Sequence, residues 1–140
     1  MRRVRVVPEK ITAEWLQRIG ACEVEVREFE RLWPRGAKVT LRNVRKAQEY
    51  ELDLEWLVNF MPKHLRKHFE KACCVSAEIW WKRWYMWRRQ RDAGKISLKE
   101  LRRRIKQLDD RNELMAAKAF VDVWNRWSTS RGSRTGKERG

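Results

Sequence analysis

Three cysteines in 140 residues are an odd and small set: Cys22 stands alone, and Cys73 and Cys74 are adjacent. That pattern offers no disulfide framework. Free thiols are the natural state of a reducing compartment, so an intracellular setting is expected. No apolar run approaches the ~20 residues of a membrane span, which removes the bilayer from the expected partners. The N-terminus, Met1-Arg2-Arg3-Val4-Arg5-Val6-Val7-Pro8, carries basic residues with no apolar core behind them. It does not read as a secretion signal. Also missing are a glycine-rich phosphate loop and any serine, histidine and aspartate set that suggests a hydrolase. No catalytic residue and no cofactor is called for, and the chain reads as a non-enzyme.

Acid is the other scarcity. Lys and Arg number 34 against 19 Asp and Glu, so the formal charge is +15. Such an excess destabilises the compact state through self-repulsion. A polyanion relieves it by neutralising the charge and releasing its own counterions. The apolar share of 42% is nonetheless too high for a disordered chain. Nine tryptophans exceed what a small helical core needs, so some are expected as surface anchors.

Residues 1–7 read as a short extended arm that stops at Pro8. Thr12 is placed to cap a helix to about Ile19, with Gly20 as its stop. Cys22, Val26, Phe29 and Trp33 fall on one face of a second helix, 21–33. Pro34-Arg35-Gly36 is a turn and Lys38-Val39 a short extended piece. Thr40 caps a third helix, 41–50, and a fourth runs over 53–61. Pro62 suits the first turn of a long helix, where its missing N–H costs nothing. Along that helix Leu65, Phe69, Ala72, Ser76, Trp80 and Trp87 share a face, and Asp92-Ala93-Gly94 ends it. Ser97 and Glu100 form a capping-box pattern that opens a second long helix to about Trp127. Its seam is Leu101, Ile105, Leu108, Asn112, Met115 and Ala119, and past Ala119 it drifts so that Phe120, Val123 and Trp127 take over. Asn112 either fixes register within the seam or sits solvated at its edge.

The expected fold class is all-α: short N-terminal helices packed on a long antiparallel helical hairpin, with a flexible basic C-terminal tail. The divisions are a small helical docking subdomain, 1–62, a basic Trp-rich hairpin, 63–127, and a tail without apolar residues, 128–140.

Charge is uneven along these pieces. Residues 1–62 are net +2, 63–106 net +11, 107–127 net −1 and the tail net +3. In a hairpin, Arg88, Arg89, Arg91 and Lys95 lie across the turn from Lys99, Arg102, Arg103, Arg104 and Lys106, forming one basic pole. The segment from Trp80 to Arg89 interleaves aromatic with cationic residues. Trp81 and Tyr85, four apart, point away from the seam, with Lys82 beside them. Exposed rings next to cations stack on unpaired bases. The competing reading packs Trp81 and Tyr85 beneath the N-terminal helices. Lys67 and Lys71 extend the basic surface along the same helix.

His64 and His68, one helical turn apart, are the nearest thing to a metal pair. Cys73 and Cys74 point elsewhere on an unbroken helix, and a zinc site needs about four converging ligands. No metal is expected; the histidines are structural or phosphate-facing. Glu49, Glu51, Asp53 and Glu55 suit a helix start through its dipole. Asp109-Asp110 carries no chemical signal.

Ile11-Thr12-Ala13-Glu14-Trp15-Leu16, Gly20-Ala21-Cys22, Phe29, Leu32-Trp33-Pro34, Gly36, Val39-Thr40 and Leu52-Asp53-Leu54-Glu55-Trp56-Leu57 carry a resemblance. Residues 11–61 resemble a module of uncharacterised bacteriophage and prophage proteins. The resemblance implies a phage-derived origin, a docking role and a host bacterial cytoplasm, and it transfers no functional residue. Nucleic acid, RNA or DNA, is the leading partner. The alternatives are an inhibitor of a host defence complex, anti-CRISPR-like and directed at a host protein or ribonucleoprotein, and a self-associating coiled coil acting as a homodimer.

Overall fold

Side-chain oxygens start the short helices. In the computed structural model, which describes residues 7–139 and only the backbone of 74–77 and 130–139, Thr12 Oγ1 accepts the Trp15 N–H at 3.2 Å and opens α1, Ala13–Arg18. Thr40 does the same for α3, Leu41–Glu49, accepting from Asn43 at 3.2 Å. Asp53 opens α4, Leu54–Val58, accepting the Trp56 N–H at 3.1 Å. Each bond satisfies an N–H that has no partner inside the helix. Between α1 and α3 lie α2, Glu23–Leu32, and a two-residue ladder in which β1, Lys10–Ile11, pairs antiparallel with β2, Ala37–Lys38. The ladder starts at Lys10, after Pro8, where no strand was expected. The expected extended arm, apart from Val7, lies outside the described residues.

Helix ends repeat one device. α5, Lys63–Asp92, stops at Ala93, and Gly94 takes φ +73°. The Gly94 N–H bonds Arg91 O at 2.9 Å, and the Lys95 N–H bonds Gln90 O at 2.8 Å. This is the Schellman pair, which uses otherwise unpaired carbonyls. After α3 the same two bonds form, from Glu51 to Gln48 and from Leu52 to Ala47, both at 3.0 Å. There the left-handed residue is Glu51, at φ +57°.

α6 runs Leu98–Arg139. Three contacts set the hairpin register. His68 Nε2 lies 3.1 Å from Asp122 Oδ2, the Trp80 indole N–H donates to Asp109, and Arg104 Nη1 donates to Gln90 at 3.3 Å. In this register the start of α5 lies level with Trp127, so α6 beyond it has no α5 opposite. Its backbone stays helical to Arg139, past the point where a flexible tail was expected. No proline interrupts the segment, and extending a formed helix adds a hydrogen bond for each residue fixed.

The fold is all-α, and one cluster of buried apolar side chains joins its parts. Ile11, Trp15, Leu16, Val26, Phe29, Val44, Leu57, Val58 and Met61 meet Leu65 and Phe69 of α5 and Phe120, Val123, Trp124 and Trp127 of α6. Trp124 is the hub. It packs edge-on against Trp15 and Trp127, each at 5.7 Å, and stacks on Phe120 at 6.2 Å. This second partner layer corrects the expected α6 seam. Leu101 and Leu108 are buried as the seam requires, but Met115 is 41% exposed. From Ala117 the buried face turns toward α1–α4 as well as α5, and Gln48 of α3 donates to Glu113 O at 2.8 Å. Asn112 is half-buried, just before that rotation. Ser76 of the expected α5 face lies outside the described side chains. Cys22, expected on the buried face of α2, is instead the exposed residue before its first turn.

A left-handed backbone costs a residue with a Cβ about 1–2 kcal/mol, and glycine returns part of that gain through unfolded-state entropy. Glu51→Gly is therefore expected to raise stability by about 0.5–1 kcal/mol, read as a higher urea midpoint at unchanged slope.

Candidate functional site

Beyond the base cluster, α5 and α6 pack mainly on each other among the described residues. No residue from Glu78 to Asn112 belongs to that cluster. The distal part of the hairpin is thus a two-helix arm on the order of 20 Å long. Its own seam is thin: Leu101 and Leu108 are buried, while Trp80, Trp84, Trp87 and Ile105 are half-buried. Trp80 stacks on Trp84 at 6.0 Å and 10°, and its N–H is held by Asp109 across the hairpin. Arg88 lies over the Trp84 ring at 5.1 Å, and Arg104 over Trp87 at 5.9 Å. Both are cation–π contacts that tie charge to the aromatic seam.

The outward face of α5 resolves the question of Trp81 and Tyr85. Neither packs under the N-terminal helices; Trp81 is 58% exposed and Tyr85 61%. Those helices are used up on residues nearer the base. Lys67, Lys71, Tyr85 and Arg89 follow helical spacing down the same side, which keeps them on one stripe. An open groove runs beside it, lined by Lys82, Tyr85, Met86, Arg89, Gln90 and Lys95.

The cations divide into two sets. Lys82 pairs with Glu78 at 3.3 Å, and Glu100 takes both Arg103 and Arg104. Lys67, Lys71, Arg89, Arg91, Lys95, Lys99, Arg102 and Lys106 are exposed and have no ion-pair partner among the described residues. The helix dipole accounts for only some of them. Arg89 and Arg91, in the last turn of α5, complement its negative end. Lys99 lies in the first turn of α6, at the positive end, where a cation is unfavourable, and Arg102 lies just beyond that turn. Fold stability does not account for these residues.

Glu100 corrects an expectation. Ser97 Oγ does accept the Glu100 N–H at 3.1 Å. The Glu100 carboxylate bonds Arg103 and Arg104 rather than turning back to Ser97. Two guanidinium partners outcompete one amide, since charge-assisted bonds are the stronger ones. The hydrogen bond from Arg103, then that from Arg104, hold its carboxyl down at about 2.

The rejected constellations find structural roles. His68 faces Asp122, which also accepts from Arg126, and His64 is exposed. No group of three or more metal-ligating side chains occurs among the described residues. Asp53 caps α4 and Glu51 closes α3. Cys74 lies outside the described side chains. Asp109, silent in the sequence, is the partner that orients Trp80. The N-terminal elements, with Phe120 of α6, line a small apolar pocket of about 70 Å³ whose walls include Leu16, Phe29, Val44 and Leu57. It belongs to the core and brings no reactive groups together.

Comparison of the chain with family models, curated proteins and solved structures finds no match. Among the described residues no helix is long and apolar enough to cross a membrane.

Glu100 generates a pH prediction. Its folded-state value, about 2, lies below the ordinary 4.5. Its contribution is therefore complete above about pH 4.5 and is lost as pH falls toward 2. The stability difference between the wild type and Glu100→Gln should shrink across that window and vanish at its acid end. Parallel acid titrations by circular dichroism check this.

Proposed function

We propose that this chain is a non-enzymatic nucleic-acid-binding protein that contacts phosphates through the distal arm of α5 and α6. The observation that carries the reading is the set of unpaired cations on that arm. Arg89, Arg91, Lys95, Lys99, Arg102 and Lys106 are exposed at the end of the molecule farthest from the core. They repel one another there, and two helices with a thin seam must hold them together. Lys99 also opposes the α6 dipole. Phosphates relieve all three costs at once, and release of their condensed counterions supplies affinity.

The base of the molecule fits the role of a holder. Its cluster clamps the open end of the hairpin and leaves the turn end free for a ligand. We propose further that the chain is a phage-type accessory protein acting in a bacterial cytoplasm, a reading that rests on the sequence pattern of residues 11–61 alone. Lys67 and Lys71 extend the contact surface toward the base. Arg103, Arg104 and Lys82 add to the field but already have acidic partners.

Six phosphate contacts predict a log–log salt slope of about −5 on duplex DNA and about −4 on single strands. Arg102→Gln should reduce either slope by about 1 and weaken all sequences alike. Fluorescence anisotropy of labelled oligonucleotides over a salt series measures this. Absence of binding at low salt overturns the proposal. A salt-resistant complex with one host protein, or a dimer in sedimentation without nucleic-acid affinity, directs the function to the inhibitor or self-associating reading.

A further inference from the structure

The phosphate reading leaves one feature unused: the aromatic face of α5. Of the nine tryptophans, Trp15, Trp124 and Trp127 are buried and Trp33, Trp56, Trp80, Trp84 and Trp87 half-buried. Trp81 alone is exposed, at 58%, and Tyr85 beside it reaches 61%. Ile79 and Met86 flank them at 42% and 49%. An aromatic patch left in water on an arm that already struggles for apolar contact is unexplained by folding.

The rings are held rather than loose. Trp81 meets Trp80 edge-on at 5.0 Å and 86°, and Trp84 at 5.6 Å and 81°. Tyr85 leans on Trp84 at 6.2 Å and 68°. Trp84 is itself clamped by Trp80 and covered by Arg88. Steep edge contacts fix a ring's orientation while leaving much of it in solvent. The freedom lost on binding a flat partner is then already lost.

Resting on the phosphate reading, we infer that Trp81 and Tyr85 are a stacking platform for unpaired bases, so that the arm takes single-stranded nucleic acid in preference to duplex. Two residues four apart on a helix are about 6 Å apart along its axis. Duplex strands advance 3.4 Å per nucleotide. A strand offering one base to each ring is therefore drawn out and unstacked, which a duplex does not permit. Duplex base faces are covered, and only their edges meet the grooves. Unpaired bases expose their faces, and stacking on them tolerates any sequence. Lys82 and Arg89 line the groove beside Tyr85, where the phosphates of such a strand run.

Charge decides between occupants. A second copy docked face to face would bring Arg88, Arg89 and Lys82 against their own equivalents. A polyanion with flat apolar faces complements both the cations and the rings. RNA and single-stranded DNA share this chemistry.

The test uses the full chain and four labelled probes of equal length: oligothymidylate, oligouridylate, an abasic strand and a duplex. The abasic strand keeps the phosphates and lacks the faces. The expected result is at least tenfold tighter binding of the two base-bearing single strands than of the abasic strand or the duplex. Trp81→Ala and Tyr85→Ala should each lose about 5- to 100-fold on the base-bearing strands. They should leave the abasic strand unchanged, and Trp81→Phe should restore most of the affinity. Oligouridylate against oligothymidylate reports the RNA or DNA source. Equal binding of all four probes overturns the platform while the phosphate reading stands. Loss of abasic binding in Trp81→Ala also overturns it, because the ring then acts on something other than a base. Failure of every probe to bind at low salt removes both.

Discussion

Trp124 sets the terms for the rest of the molecule. It touches Trp15 from α1 and Phe120 and Trp127 from its own helix, and it is 1% exposed. Burying an aromatic of this size is the largest single apolar contribution the chain can make. It is made at one end of the hairpin. The short helices, the strand pair and the first turns of α5 all gather there. What remains of α5 and α6 must stand on its own contacts, and from Glu78 to Asn112 it carries 12 basic against 5 acidic residues, about half of the net positive charge. Asymmetry between an apolar base and a charged arm is the organising fact of this protein.

The arm meets its burden with polar and aromatic devices. Asp109 anchors Trp80 across the helices, and Glu100 neutralises Arg103 and Arg104. Arg88 and Arg104 sit over rings, where a cation is attracted rather than merely tolerated. These devices account for part of the charge and for the half-buried tryptophans. They do not account for the unpaired cations around the turn or for the two exposed rings. The proposed ligand, a single strand with phosphates and unpaired bases, would account for both.

Local signals were legible and shared surfaces were not. Thr12 and Thr40 were readable as caps and Gly94 as a stop, because each acts through bonds to its own neighbours. The hairpin followed from two long periodic segments joined by a short turn. The α6 seam was readable to Leu108 and again past Ala119, where Phe120, Val123 and Trp127 take over and are buried. Between them Met115 was misplaced, because the packing of α1–α4 turns the buried face before the heptad spacing shows it. Glu51 in a left-handed cap was invisible, since glycine is the residue that signals such a position. On the arm, the basic pole was legible from charge counts alone. Which of its members are neutralised depended on Glu78 and Glu100, and whether Trp81 and Tyr85 are free depended on how far the N-terminal helices reach.

The most direct measurement is a titration of the isotope-labelled protein with a short single-stranded oligonucleotide, following tryptophan indole and arginine side-chain NMR signals. The account predicts large shifts for Trp81 and for Arg89 and Arg102, smaller ones for Trp84, and none for Trp15, Trp124 and Trp127. Shifts confined to Trp33 and Trp56 of the N-terminal elements, with Trp81 unmoved, would contradict it.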